Sequence, residues 1–288
     1  MRDRRPEYAE PVIPVPLDAE QLRRELVQRG PYAALDVVTV TGSTNSDLAS
    51  AASGGAADRT VLLTEEQTAG RGRLNRRWYS PRYRALQLSV LLRPELPQRG
   101  LGWLPLLTGV ALAETVNRAS PGRAALKWPN DLLLRTGSGW GKAAGILAEV
   151  VAAPDGLAVV VGMGINVHHR QEELPPPVPD ALPATSLALA GVEVDRTEFA
   201  VRLLTAFAET EQLWRRHAGD VQASGLLDRY RGLCATLHQR VRVDLAAEQL
   251  HGTAVDVDPD GRLVVRTEDG RTTEVAAGDV QHLRPAGR

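Results

Sequence analysis

Cysteine is nearly absent. A single thiol, Cys234, stands in 288 residues, so no internal disulfide can form and Cys234 has no partner at metal-ligand spacing. Such usage suits a reducing compartment, and a cytoplasmic location is the expectation. No run of about 18 apolar residues is available to span a bilayer. The N-terminal Pro-Glu-Tyr-Ala-Glu-Pro segment also lacks the apolar stretch of a signal peptide. An excess of charge of either sign is missing: 34 Lys and Arg face 35 Asp and Glu, which argues against a global field for DNA or an anionic membrane. Aromatic residues make up only 4%, too few for the stacking surface of an RNA-binding module. No Gly-x-Ser-x-Gly elbow occurs, so serine hydrolase chemistry has no anchor.

What is present is an ordinary globular composition, 43% hydrophobic and 24% charged, in a chain long enough for one large domain with a small appendage. Residues 1–17, rich in proline and charge, read as a loose tail. Asp18 can cap a helix that carries Leu22, Leu26 and Val27 on one face and stops at Gly30. Leu35 to Val40 suggest a strand leading through Thr41–Asn45 into an alanine-rich helix. Further strands are expected near 60–65, 85–92, 124–128, 131–135, 143–152 and 157–167, with helices near 103–118, 195–217 and 222–236. The prolines of 173–179 exclude helix and central strand and mark a surface excursion. From Arg240 onward, short alternating strands separated by Asp260-Gly261 and Asp269-Gly270 turns predict a small β-barrel. The division is therefore a main domain over 18–236, with its core at 36–236, and a barrel over 237–288.

Four segments carry chemistry. Gly70-Arg71-Gly72-Arg73-Leu74-Asn75-Arg76-Arg77-Trp78 combines four guanidinium groups with two glycines that let backbone approach a ligand, a combination suited to phosphate or carboxylate. Composition alone equally allows a solvated basic loop or an RNA-contacting turn. Lys127-Trp128-Pro129-Asn130-Asp131 offers a cation for phosphate, an amide for a polar ligand edge and a carboxylate for Mg²⁺; it also reads as a turn with an aromatic plug. Gly141-Lys142-Ala143-Ala144-Gly145 sets a lysine at a strand end, suited to a ligand carboxylate, or simply an edge-strand lysine; its spacing is not that of a P-loop. Gly162-Met163-Gly164-Ile165-Asn166 lacks the third glycine of a dinucleotide fingerprint, so the glycines read as close-packing positions and Asn166 as an amide offered to a ligand. His168-His169 lacks the spacing of a zinc helix.

Ser43-Thr44-Asn45, Gln67, the Gly70–Trp78 loop, Lys127–Asp131 and Lys142-x-Ala144-Gly145-Ile146-Leu147, taken together and in this order, resemble the biotin–protein ligase family from about residue 36 to the end of the chain. Two positions depart from the family pattern: Asn75 where glycine is common and Ala143 where leucine is common. Asparagine tolerates positive φ, so the loop is expected to close. The insertion at Ser138-Gly139-Trp140 and the proline-rich stretch receive no role.

The resemblance implies an α+β catalytic domain like that of class II aminoacyl-tRNA synthetases, with a mixed, largely antiparallel sheet and helices on one side, followed by a small SH3-like β-barrel. It implies an ATP-dependent ligase that makes biotinyl-5′-AMP and passes biotin to a lysine of the biotin carboxyl carrier protein domain of an acyl-CoA or pyruvate carboxylase. ATP and Mg²⁺ are the implied co-substrate and metal, with no tightly bound prosthetic group. Arg71, Arg73 and Lys142 would hold carboxylate and phosphate, and Lys127 and Asp131 the phosphate and Mg²⁺ side. Ser43, Thr44, Asn45 and Gln67 would meet biotin's polar ring; Gly70 and Gly72 would let the loop close on it; Trp78 would cover the site; Asn130 and Asn166 would meet the adenylate. The arginine loop is expected to order when the adenylate neutralises it. About 35 residues before the ligase-like region are too few for a winged helix-turn-helix, so the expectation is the monofunctional form, without DNA or membrane as partner. A homodimer is left open, and a lipoate or octanoate ligase is the nearest rival.

Overall fold

The computed structural model describes residues 15–178, 181–245, 249–276 and 278–283. Asp18, in extended conformation, accepts the Gln21 N–H and caps α1 (Ala19–Arg23), which runs on as a π-turn over Arg24–Gln28. Leu22 and Leu26, one turn apart, are buried together in the core.

Beyond it, β1 (Ala34–Val38), β2 (Thr60–Thr64), β3 (Ala85–Leu92), β4 (Ala124–Lys127), β5 (Asp131–Thr136), β6 (Gly139–Ala153) and β7 (Gly156–Asn166) form one sheet in the order β1-β2-β3-β7-β6-β5-β4. Within it the β1–β2 pair is parallel and the other pairs antiparallel. The interior strand β3 is buried along its whole length. Leu86, Leu88, Val90 and Leu92 face the main core, where α3 (Leu104–Ala119), α4 (Arg196–Arg216) and α5 (Leu226–Leu233) cover the sheet.

The expectation of helices on one side needs correction. α2 (Thr44–Ser53), between β1 and β2, packs on the opposite face, where Leu48 and Ala52 meet Leu62, Leu91, Ala158 and Val160. Its apolar stripe is short, so the sequence pattern carried little sign of which face it covers.

A second, five-stranded antiparallel sheet, in the order β11-β10-β9-β8-β12, comprises β8 (Arg240–Asp244), β9 (Gln249–Val257), β10 (Leu263–Arg266), β11 (Thr272–Val275) and β12 (Asp279–His282). Two buried tryptophans grip the turn between β9 and β10. Trp103 Nε1 donates to the Pro259 carbonyl at 2.6 Å and Trp128 Nε1 to the Gly261 carbonyl at 2.9 Å. Gly261 has φ +80°, and a Cβ there would lie 2.7 Å from Leu106, so the turn needs glycine on both counts. Arg231 of α5 adds two parallel 2.7 Å hydrogen bonds to Asp256. No helix among the described residues is long and apolar enough to cross a membrane.

Candidate functional site

A cavity of about 940 Å³ opens on the α2 face of the large sheet, and β12 of the second sheet completes its wall. Its floor depends on missing side chains. Gly162, Gly164 and Asn166 alternate onto one face of β7, and Gly164 is in register with Gly145 of β6. A Cβ on Gly164 would lie 2.5 Å from the Trp78 indole, one on Gly145 3.4 Å from it, and one on Gly162 2.2 Å from Asn45 Oδ1. The close packing read from these glycines is therefore contact with an indole and an amide. Trp78 lies against floor strands β6 and β7, and its Nε1 is buried with no hydrogen-bond partner among the described residues.

The polar end of the cavity is built at the start of α2. Ser43 occupies the N-cap position, and Thr44 and Asn45 are buried in the first turn. The Thr44 N–H donates to Gln67 Oε1 at 2.9 Å, and Gln67 Nε2 donates to Gln87 Oε1 at 2.9 Å. Asn45 Nδ2 donates to Glu149 Oε2 at 2.6 Å and to the Leu147 carbonyl at 3.3 Å, and Ser89 Oγ lies 2.6 Å from Asn45 Oδ1. Gln87, Ser89 and Glu149 escaped the sequence reading. The one signal was two polar residues at alternate positions of an otherwise apolar strand.

The arginine loop closes as a narrow hairpin: Gly72 N–H donates to the Arg76 carbonyl at 2.7 Å and Trp78 N–H to the Gly70 carbonyl at 2.9 Å. Gly70 is required, since a Cβ there would lie 2.5 Å from the Trp78 carbonyl oxygen. The residue with left-handed backbone is Leu74, φ +55°, and not Asn75 as the sequence suggested. Arg71 is half-exposed, donating to Ser46 Oγ at 3.0 Å and pairing with Glu149 at 3.4 Å. Arg73 reaches Asn130 Oδ1 at 3.4 Å and the Gly278 carbonyl at 3.5 Å, and burial lowers its pKa. Arg76 pairs with Asp279, whose hydrogen bond raises the guanidinium's pKa.

Lys127 and Lys142, the chain's only lysines, meet at one carboxylate. Asp131 Oδ1 is 2.6 Å from Lys142 Nζ and Oδ2 is 3.9 Å from Lys127 Nζ. A register shift between β5 and β6 places Lys142 opposite Leu133 and Ala144 opposite Leu132. This bulge turns Ala143 into the core and brings the Lys142 stem to 4.0 Å from the Cβ position of Gly145. Burial lowers the pKa of Lys127, with Asp131 opposing. His282 is lowered to about 4 by burial and then by Lys127. His169, another residue lining the cavity, is lowered to about 4 chiefly by burial, and its Nε2 is 2.9 Å from Ser80 Oγ. Asn130 Nδ2 donates to the Ile146 carbonyl and Asn166 Nδ2 to the Thr185 carbonyl.

Two segments that received no role line the cavity: Ser138–Trp140, and the proline-rich stretch through Leu174–Val178. The latter is a wall and not a mere surface excursion, anchored by the half-buried Arg84–Glu173 pair at 3.1 Å. Among the described residues no three His, Cys, Asp or Glu side chains gather to hold a metal. Asp131 thus belongs to no cluster of metal-ligating side chains, a donor set that fits Mg²⁺ carried in by phosphates better than a resident ion.

Residues 37–166 match the model of the biotin/lipoate A/B protein ligase family, and residues 236–283 that of the biotin protein ligase C-terminal domain. A biotin–[acetyl-CoA-carboxylase] ligase of Mycobacterium tuberculosis is 43% identical over 93% of this chain and 97% of its own. The biotin protein ligase of Aquifex aeolicus, solved with biotin and ATP, superposes with a TM-score of 0.70 at 26% identity, over 88% of this chain and all of that one. The Leishmania major ligase, solved with biotinyl-5-AMP, gives 0.50 at 25% identity, over 85% of this chain and 99% of that one.

Proposed function

The chain belongs to the biotin protein ligase family, and from that premise we propose how its cavity activates biotin with ATP and hands the vitamin to a carboxylase. The observation that carries the reading is convergence: Lys127, Lys142, the arginine loop and the Thr44–Gln67 corner, scattered over a hundred residues, line a single cavity.

In the first step a biotin carboxylate oxygen attacks the α-phosphorus of ATP and the bond to pyrophosphate breaks, leaving biotinyl-5′-AMP. In the second, a carrier lysine attacks the acyl carbon and AMP leaves with its phosphate oxygen. Both steps build negative charge on oxygen, which fixed cations stabilise most where water is excluded. Arg71, Arg73 and Lys142 hold the biotin carboxylate and α-phosphate, while Lys127 faces the phosphate side. Asp131 keeps the two ammonium groups together, so an arriving anion finds them already gathered. Asp131 would be the carboxylate to meet a Mg²⁺ arriving with ATP, which would shield phosphate charge. Ser43, Thr44 and Gln67 read biotin's ring, Trp78 lies beneath the ligand, and Asn130 and Asn166 serve the adenylate end.

No protein nucleophile takes part. Burial holds the Cys234 thiol above its ordinary pKa, so it does not intercept the mixed anhydride. The acceptor is the biotin carboxyl carrier domain of an acyl-CoA or pyruvate carboxylase in the cytoplasm. Incubating the protein with biotin, Mg-ATP and an apo-carrier domain should add one biotinyl group to the carrier by intact mass. An unmodified carrier, or lipoate transferred in preference to biotin, overturns the reading.

A further inference from the structure

Glu149 lies outside every motif that marks the cavity, yet it ends a chain of hydrogen bonds that begins at Thr44. The directions of those bonds can be worked out from chemistry alone. A carboxylate and a peptide carbonyl only accept, so the atom of the Asn45 amide that faces both Glu149 Oε2 and the Leu147 carbonyl must be the nitrogen. Asn45 Oδ1 then faces Ser89 Oγ at 2.6 Å and must receive that hydroxyl's single proton. Ser89 is fully buried and its one proton is committed to Asn45, so its contact with Thr44 Oγ1 at 2.7 Å needs the Thr44 proton, which takes this shorter contact over the one to Gln67 Oε1 at 3.2 Å. Thr44 has no second hydroxyl proton. Its oxygen keeps only lone pairs for the cavity that it lines.

Gln67 is fixed in the complementary sense. Its Oε1 accepts the Thr44 N–H and one Nε2 proton goes to Gln87, leaving a second N–H for the cavity. This corner thus offers an acceptor beside a donor, the pattern that a cyclic urea satisfies with one N–H and its carbonyl. We infer that Glu149 is a specificity-determining positioning residue: through Asn45 and Ser89 its carboxylate sets the direction of the Thr44 hydroxyl, so that the cavity selects a ring N–H over a ring oxygen.

This inference rests on the biotin reading and deepens it. A neutral amide at position 149 can donate as well as accept, which leaves the longer 3.3 Å contact with the Leu147 carbonyl as the one obligatory acceptor on Asn45 and lets the amide turn over, Ser89 donate to Thr44, and the Thr44 proton point at the ligand. Packing is hardly changed, because glutamine has the shape of glutamate.

The test compares binding of biotin with binding of its cyclic carbamate analogues, in which one or other ring N–H is replaced by oxygen, by titration calorimetry. The wild type should prefer biotin by about tenfold or more, the worth of one well-made hydrogen bond. In Glu149→Gln that preference should shrink to about threefold or less, because the analogue gains while biotin loses. Ser89→Ala, which cuts the chain at its middle, should relax the preference equally, and the double variant no further. Equal losses for both ligands in Glu149→Gln, or additive effects in the double variant, overturn the relay and leave Glu149 the ion-pair partner of Arg71 alone. A wild type that binds neither ligand overturns the biotin reading itself, so the two failures are told apart.

Discussion

Asp131 carries two ammonium groups at side-chain exposures of 12% for itself and Lys127 and 35% for Lys142. Ion pairs so placed are screened less by solvent than surface pairs, and the side chains are held in the cavity where the proposed chemistry would build anionic oxygen. Arg71, in contrast, is held loosely by Ser46 and Glu149 and is free to turn to an arriving anion. Arg71→Ala should therefore slow adenylate formation by roughly 3 kcal/mol of activation free energy, about two orders of magnitude. Pyrophosphate release measures it, and an unchanged rate removes Arg71 from the chemistry. Two imidazoles make a separate prediction. His169 and His282 are held at about 4, below their ordinary 6.5, so between those values the unfolded chain binds more protons than the folded one. Stability must fall as pH drops from about 6.5 toward 4. Melting temperatures at pH 7 and 4.5 should differ less in His169→Gln and His282→Gln than in the wild type. The charged residues that the cavity gathers were legible because a cation or carboxylate keeps its chemistry in any fold. Ser89 and Glu149 were not, since only the packing of α2 against β3 and β6 joins them to Asn45 on the cavity wall.

Long, periodic elements were the readable ones. β3 and α3 lie within a residue or two of their expected bounds because each shows its own period over many residues. The bulge in β6 was hidden, since strand alternation would have set Ala143, not Lys142, on the face shared with Gly145. The proline-rich segment was recognised as neither helix nor strand, but prolines say nothing of what a loop covers. The arginine loop has its own prediction. Its backbone hairpin is short, it contains a left-handed leucine, and its guanidinium groups rest on partners from three different parts of the chain: Glu149, Asn130 and Asp279. Biotin with Mg-ATP should replace those partners by one anion and slow tryptic cleavage within 70–78. Identical digestion with and without the ligands would show that the loop does not order around them.

Across the whole molecule, the second sheet is not a passive appendage. Trp128 belongs to the Lys127–Asp131 segment and donates to Gly261 across 133 residues of sequence, so the cavity's lysine hairpin and the β9–β10 turn are mechanically joined. Gly261→Val should strain a left-handed turn and drive a side chain into Leu106, costing about 2 kcal/mol and several degrees of melting temperature. Adenylate formation should fall as well, because β12 carries Asp279 and His282 to the cavity wall; full activity in a variant with lowered melting temperature would separate the sheet from catalysis. The order of elements and the barrel were legible from local pattern. Placing β12 beside the arginine loop was not, since the Arg76–Asp279 pair spans 203 residues and no local signal marks such a partner.

The meeting of Lys127 and Lys142 at Asp131 has one more consequence. Biotinyl-5′-AMP acylates amines indiscriminately once it diffuses free, and an ordinary protein of this length displays many on its exterior. Here every other basic side chain is arginine or histidine, and both ε-amines are tethered within the cavity. The enzyme's own coat therefore offers leaked reagent no lysine to label, and stray acylation falls on bystanders and not on the catalyst.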